Sequence, residues 1–146
     1  MTDFDPNFKT TPVLAKIGQK VVVFNEKSEV LFLKRSDKCS RPGGWDFPGG
    51  GLDLGEDPLQ GISREVAEET QLAVSHIEPV HLESFINEHG EFTVMVGYIA
   101  QAPNAIPVLS WEHDSYKWLS QGEALQEKLP TVHKKFLEKA LNKLIQ

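Results

Sequence analysis

Cysteine occurs once in the 146 residues, at Cys39, so no disulfide can form within the chain. That scarcity suits a reducing compartment and predicts a cytoplasmic protein. Long apolar runs are missing: none approaches the roughly 18 residues a membrane span needs. Positive charge is in deficit, with 15 Lys and Arg against 21 Asp and Glu and a net charge of -6. The balance argues against charge-driven binding to nucleic-acid polymers or an anionic membrane. It leaves room for a small anionic substrate, because a bound divalent cation reverses the local field. Residues Met1 to Phe8 carry Asp3, Asp5 and Pro6 without an apolar core, so no signal peptide is expected there. No repeat, low-complexity stretch or shift in composition divides the chain, which predicts one domain over residues 1–146. With 40% hydrophobic and 25% charged residues, a chain of this length can bury a core without disulfides or a structural metal.

Gln19 to Phe24 (QKVVVF) and Val30 to Lys34 (VLFLK) read as strands around the polar turn Asn25 to Glu29, a plausible hairpin. Ser36 to Gly44 reads as loop, Trp45 to Phe47 as a short strand, and Pro48 to Gly51 as a turn of three glycines. Asp57 to Thr70 is the best helix candidate, with Asp57 able to cap it and Pro58 at the first helical position. Val80 to Ile86 and Phe92 to Ala100 read as strands joined by the turn Asn87-Glu88-His89-Gly90. Ala102 to Pro107 reads as loop and Tyr116 to Leu119 as a short strand. Leu129 to Leu144 reads as a C-terminal helix, with Val132, Phe136, Ala140 and Leu144 spaced by four. Strands interleaved with two or three helices predict an α/β sandwich.

The segment Pro48 to Leu72, PGGGLDLGEDPLQGISREVAEETQL, carries the chemistry. On a helix, Leu59, Ile62, Val66 and Thr70 fall within an arc of roughly 80°, which should face the core. Glu65, Glu68 and Glu69 stand at i, i+3 and i+4 and share a neighbouring arc. Like charges so placed repel, and a hard divalent cation removes the conflict, because Mg²⁺ prefers oxygen ligands. Arg64 can pair with one of these carboxylates and fix its orientation. An Arg and Glu cluster alone is also what a solvated helix face looks like. The glycines Gly49, Gly50 and Gly51 distinguish this one, since a backbone without Cβ atoms can approach a ligand closely and offer a carbonyl.

The spacing G-x5-E-x7-R-E-U-x-E-E-x-G-U, with U a bulky apolar residue, is met by Gly50, Glu56, Arg64, Glu65, Val66, Glu68, Glu69 and Leu72. In this the chain resembles the Nudix hydrolases of MutT-like type, and WDFPGG and the flanking strands extend the likeness over most of the chain. The departure is Gln71, where the family usually has glycine. Glycine there ends the helix in a left-handed conformation, which costs any other residue roughly 1 kcal/mol. Either the helix ends differently here or Gln71 tolerates the strain.

The resemblance implies an α/β/α sandwich with a mixed sheet and a loop–helix catalytic motif. It implies Mg²⁺-dependent hydrolysis, with Mn²⁺ as a substitute, of a diphosphate bond in a nucleotide-like small molecule. Glu65, Glu68, Glu69 and the Gly49 carbonyl would bind metal. Arg64 would orient Glu65 or Glu68. Glu56 would contact the metal through water or support the loop–helix junction. Some members of the family place the general base on a distant loop, which makes Glu112, before Trp118, a candidate base or extra ligand. Glu88 and Glu91 are weaker candidates. Arg35 and Gly50 are candidates for substrate contact. Phe85, Phe92, Tyr98 and Trp111 are aromatics for stacking or for the core. His81, His89, His113 and His133 lack metal-ligand spacing, and Cys39 has no evident activating partner. Two other functions share the fold: a non-catalytic nucleotide-binding module acting as sensor or regulator, and a diphosphate isomerase, which needs more than Cys39. The box spacing specifies neither a particular nucleotide nor an oligomeric state.

Overall fold

The alternation of apolar residues along the strands explains the layers of the protein, seen in a computed structural model that describes residues 3–145. In β1 (Lys16–Phe24) and β2 (Val30–Arg35), buried side chains point alternately to opposite faces. Val22, Phe24, Val30 and Phe32 pack on one side, with Phe136, Leu137 and Ala140. Val21, Val23, Leu31 and Leu33 pack on the other, with Ile62, Val66 and Leu72. A strand apolar on both faces must be covered on both. The covers are α1 (Pro58–Thr70) on one face, and α2 (Gln121–Gln126) with α3 (Thr131–Ile145) on the other.

The sheet is completed by β3 (Trp45–Asp46), β4 (Ser75–Ile86), β5 (Phe92–Gln101) and β6 (His113–Leu119). Its order is β3-β2-β1-β5-β4, and β6 also pairs with β2. Only β1 and β5 run parallel; the other pairs are antiparallel. The mixed α/β architecture agrees with the sequence reading. Several boundaries move. β1 begins at Lys16, β4 at Ser75 and β6 at His113, all earlier than the apolar runs suggest. β4 is long because it tolerates irregular register around Pro79, on the edge of the sheet. The expected β1–β2 hairpin pairs at Phe24 and Val30, but β2 finds most of its partners in β3 and β6. Helix α2 was not evident in the sequence, although Ser120 and Glu123 form a reciprocal capping box there.

Helix α1 starts as its sequence requires. Asp57 accepts a hydrogen bond from the Gln60 backbone and Pro58 opens the helix. It ends with Gln71 at φ 58°, its N–H donating to the Ala67 carbonyl. The left-handed cap is therefore formed by a residue with a side chain. Of the predicted core arc, Ile62, Val66 and Thr70 are buried, whereas Leu59 is 48% exposed at the first turn.

Candidate functional site

The glycine turn is held along β1 as an extra, irregular strand. The Gln19 N–H donates to the Gly50 carbonyl, Val21 N–H to Pro48, and Leu52 N–H to Ile17. Gly49 has φ 138°, and a Cβ there would run into the Gln19 backbone, so only glycine fits. Gly50 is required for a different reason: a Cβ would stand 2.9 Å from the Glu65 carboxyl atoms. Buried Gln19 ties the helix to this frame. Its side-chain amide donates to the Pro58 carbonyl at 3.0 Å and to the Tyr98 hydroxyl at 2.6 Å.

The turn and α1 thus present the three box carboxylates in very different surroundings. Glu69 is only 1% exposed, and its Oε2 accepts the Gly49 N–H at 3.1 Å. Burial drives its carboxyl up to about 8, reinforced by Glu65 and Glu112 and opposed by Lys20 and the Gly49 N–H. Burial also raises Glu65, which is pulled down by Arg64 and pushed up by Glu68 and Glu112. Glu68 is exposed.

Arg64 organises the outer part of the group. It forks onto Glu56, with Nε to Oε2 at 2.7 Å and Nη2 to Oε1 at 3.0 Å. Its Nη1 reaches Glu68 at 3.2 Å and Glu65 at 3.3 Å. The Arg64 hydrogen bond holds the Glu56 carboxyl below the usual carboxylate range. Glu56 also accepts the Asp53 N–H at 3.2 Å, so it fastens the loop to the helix.

The long connection after β5 brings Glu112 to the same place, close enough for its charge to raise both Glu65 and Glu69. The connection is laced to α1 by the Ser110 N–H on the Glu69 carbonyl and the Val108 N–H on Thr70. The Glu112 carbonyl in turn accepts the Ser36 N–H. Cys39 is partly buried, with its Sγ 3.3 Å from that same carbonyl.

The arrangement is a partly buried concentration of negative charge with one cation, Lys20, near its inner member. A cation of higher charge fits it physically. Glu69 is sealed from water, flanked by two more carboxylates, and receives only one backbone hydrogen bond. Among the described residues no three ligating side chains already converge on one ion position. The Gly49 carbonyl lies 3.4 Å from Lys20 Nζ.

Lys20 and Arg35 belong to a second cluster beside the glycine turn. Asp46 Oδ2 accepts Lys20 Nζ at 2.9 Å and lies 3.4 Å from Arg35 Nη1. Arg35 Nε donates to the Ser40 carbonyl at 2.7 Å, so this residue is engaged by the protein itself. Sequence reasoning passed over Lys20 and Asp46. Their signal was Asp46 within WDFPGG and a lysine directly before the apolar run Val21 to Phe24.

A cavity of about 900 Å³ opens beside the turn, between Gly50 and Leu52, the β4–β5 turn and the start of α3. Phe85 and Glu88 line it. Glu91 is instead held by Asn87 and Lys16. Phe92 is at the margin of exposure, Tyr98 is buried in the core, and Trp111 lies open to solvent next to Glu112.

The family profile described as the NUDIX domain matches residues 16–140. With that span and this loop–helix, the chain belongs to the Nudix family. It is 29% identical over 128 residues to a MutT-like protein of Streptomyces ambofaciens, covering 88% of this chain and 78% of that one. It is 40% identical over 63 residues to an RNA pyrophosphohydrolase of Ruthia magnifica, covering 43% of this chain and 32% of that protein. Among solved structures it superposes on the MutT protein of Methanosarcina mazei Go1 with a TM-score of 0.77 and 26% identity. That match covers 94% of this chain and 100% of the other. No helix among the described residues is long and apolar enough to cross a membrane.

Proposed function

We propose that this protein is a Mg²⁺-dependent pyrophosphohydrolase, with Mn²⁺ as a substitute, acting on a nucleotide-like small molecule and releasing a monophosphate. The observation that carries this reading is the buried Glu69 carboxyl, raised to about 8 by burial and by Glu65 and Glu112, with only Lys20 and one backbone N–H opposing the rise. Glu65, Glu68, Glu69 and the Gly49 carbonyl are the residues that would hold the metal. A divalent ion bound there lowers the pKa of its water and neutralises charge gathering on phosphate oxygens. The chain supplies the rest. Arg64 fixes Glu56 directly and restrains Glu65 and Glu68, so the carboxylates meet the ion in few orientations. Glu112, whose charge is felt by both Glu65 and Glu69, is the candidate to take a proton from an attacking water. Gly50 keeps the turn clear of Glu65, and the adjoining cavity accepts the organic part of the substrate. The name of the Ruthia magnifica relative is consistent with diphosphate chemistry.

The test is a panel of nucleoside triphosphates, nucleotide sugars and dinucleoside polyphosphates incubated with Mg²⁺, with products identified by mass. Glu69→Gln should lower turnover by on the order of a hundredfold or more while the circular-dichroism spectrum is unchanged. Full activity in Glu69→Gln, or in EDTA, defeats the metal assignment. Nucleotide binding with no turnover across the panel favours a binding module instead.

A further inference from the structure

The His133 ring is 8% exposed, lies at the start of α3 and lines the cavity beside the glycine turn. Its Nδ1 is sealed from solvent, has no hydrogen-bond partner, and stands 3.3 Å from Asp46 Oδ1. The ring is flanked by Phe47 and Phe136, at centroid distances of 6.2 and 6.3 Å. Nε2 is not sealed in this way, and the residue lines the cavity.

Asp46 decides the tautomer. Burial alone would raise its carboxyl, but Lys20 and the Phe47 N–H hold it below the usual range, so it is ionised and accepts only. Its negative charge, 3.3 Å from Nδ1 though outside hydrogen-bond geometry, favours the tautomer with the proton on Nδ1. Burial, with repulsion from Lys20, Arg41 and Arg35, lowers His133 to about 4 against the pull of Asp46, so the ring is neutral near pH 7. A neutral imidazole protonated at Nδ1 has an unshared pair at Nε2.

We propose that His133, oriented by Asp46, accepts a hydrogen bond at Nε2 from an O–H or N–H of the substrate's organic moiety and selects for that donor. The proposal rests on the hydrolase reading for the word substrate, and on the cavity geometry for everything else. The residue touches neither the box carboxylates nor the glycine turn among the described hydrogen bonds and ion pairs, so its role is binding and not bond cleavage.

Binding to the product class separates this from catalysis. Nucleoside monophosphates, their 2′-deoxy counterparts and purine riboside monophosphate are titrated calorimetrically in EDTA against wild type, His133→Phe and His133→Gln. One of the probes should bind, with an affinity on the order of tenfold weaker in His133→Phe and largely restored in His133→Gln, whose amide oxygen can accept. The loss should vanish for the deoxy probe if a sugar hydroxyl is the donor, or for purine riboside monophosphate if a base N–H is. An equal loss with every probe, or no binding by wild type, overturns the proposal. Nitrogen-15 shifts of His133 in the wild-type protein give an answer that needs no variant: a proton on Nε2 at pH 7 overturns it, and one on Nδ1 supports it. Failure of the hydrolase reading shows separately, as absent turnover with binding intact.

Discussion

Gly49 and Gly50 are neighbours with different physical reasons to lack a side chain, and substitution separates the reasons. At Gly49 an alanine meets fixed backbone at Gln19 and is held at a φ of 138°. Gly49→Ala should therefore destabilise the fold by about 2 kcal/mol or more, visible as a lower urea midpoint. At Gly50 the Cβ meets only the end of the Glu65 side chain, 2.9 Å away, and that end can swing aside. Gly50→Ala should keep the urea midpoint near wild type but lower kcat/KM by at least about tenfold and weaken Mg²⁺ binding, because Glu65 leaves its position. A Gly50→Ala protein with unchanged kcat/KM would show that Glu65 is not held where the reaction needs it. The same logic of two environments applies to the box glutamates: Glu69 is buried and strongly shifted, while Glu68 stays on the surface and pairs with Arg64.

Helix α1 shows an element specified almost entirely by its own sequence and ended against its local preference. Asp57, Pro58 and the apolar spacing announce its start and its inner face; the start forms as read, and so does the face at Ile62, Val66 and Thr70. Gln71 at φ 58° keeps the left-handed ending that glycine would adopt freely. Gln71→Gly should raise stability by up to about 1 kcal/mol, a rise of a few degrees in melting temperature, with kcat/KM unchanged. A fall in stability would mean that the Gln71 side chain makes a compensating contact. The carboxylate spacing was legible for a related reason: the i, i+3 and i+4 relations are local, so the helix alone sets them. What was not legible depends on distant partners. Leu59 belongs to the apolar arc but lies on the first turn and stays 48% exposed, beside a surface depression that it shares with Ser75 and Ile77 of β4. Ser75 to Pro79 is mostly polar and becomes strand because β5 offers an edge to pair with. Glu112 could be named only as a candidate, since its approach to Glu69 depends on a loop folding back onto α1. The Asp46, Lys20 and His133 group draws on three separate elements and has no sequence spacing at all.

At the scale of the whole molecule, three buried titratable groups give the metal-free protein a defined pH profile. Burial depresses His113 and His133 to about 4 from an ordinary 6.5. The unfolded chain therefore binds more protons than the folded one between those values, and stability rises with pH across that window. Glu69 acts in the opposite sense, because burial raises it to about 8 from 4.5. The folded state holds that proton more tightly, so its contribution is full below 4.5 and is lost as pH climbs towards 8. Two histidines outweigh one glutamate below pH 6.5, and above it only the glutamate of the three still changes. Melting temperature in EDTA should thus rise to a maximum near pH 6.5 and fall by several degrees towards pH 8. Mg²⁺ binds the ionised carboxylate and so should remove the alkaline decline and stabilise most where Glu69 is deprotonated. Glu69→Gln, having nothing to titrate there, should lose the decline in EDTA and gain little from Mg²⁺. Thermal melts from pH 5 to 8.5, with EDTA and with Mg²⁺, check each limb. An alkaline decline that persists in Glu69→Gln assigns it to another group and removes the link between burial of this carboxylate and the need for a metal.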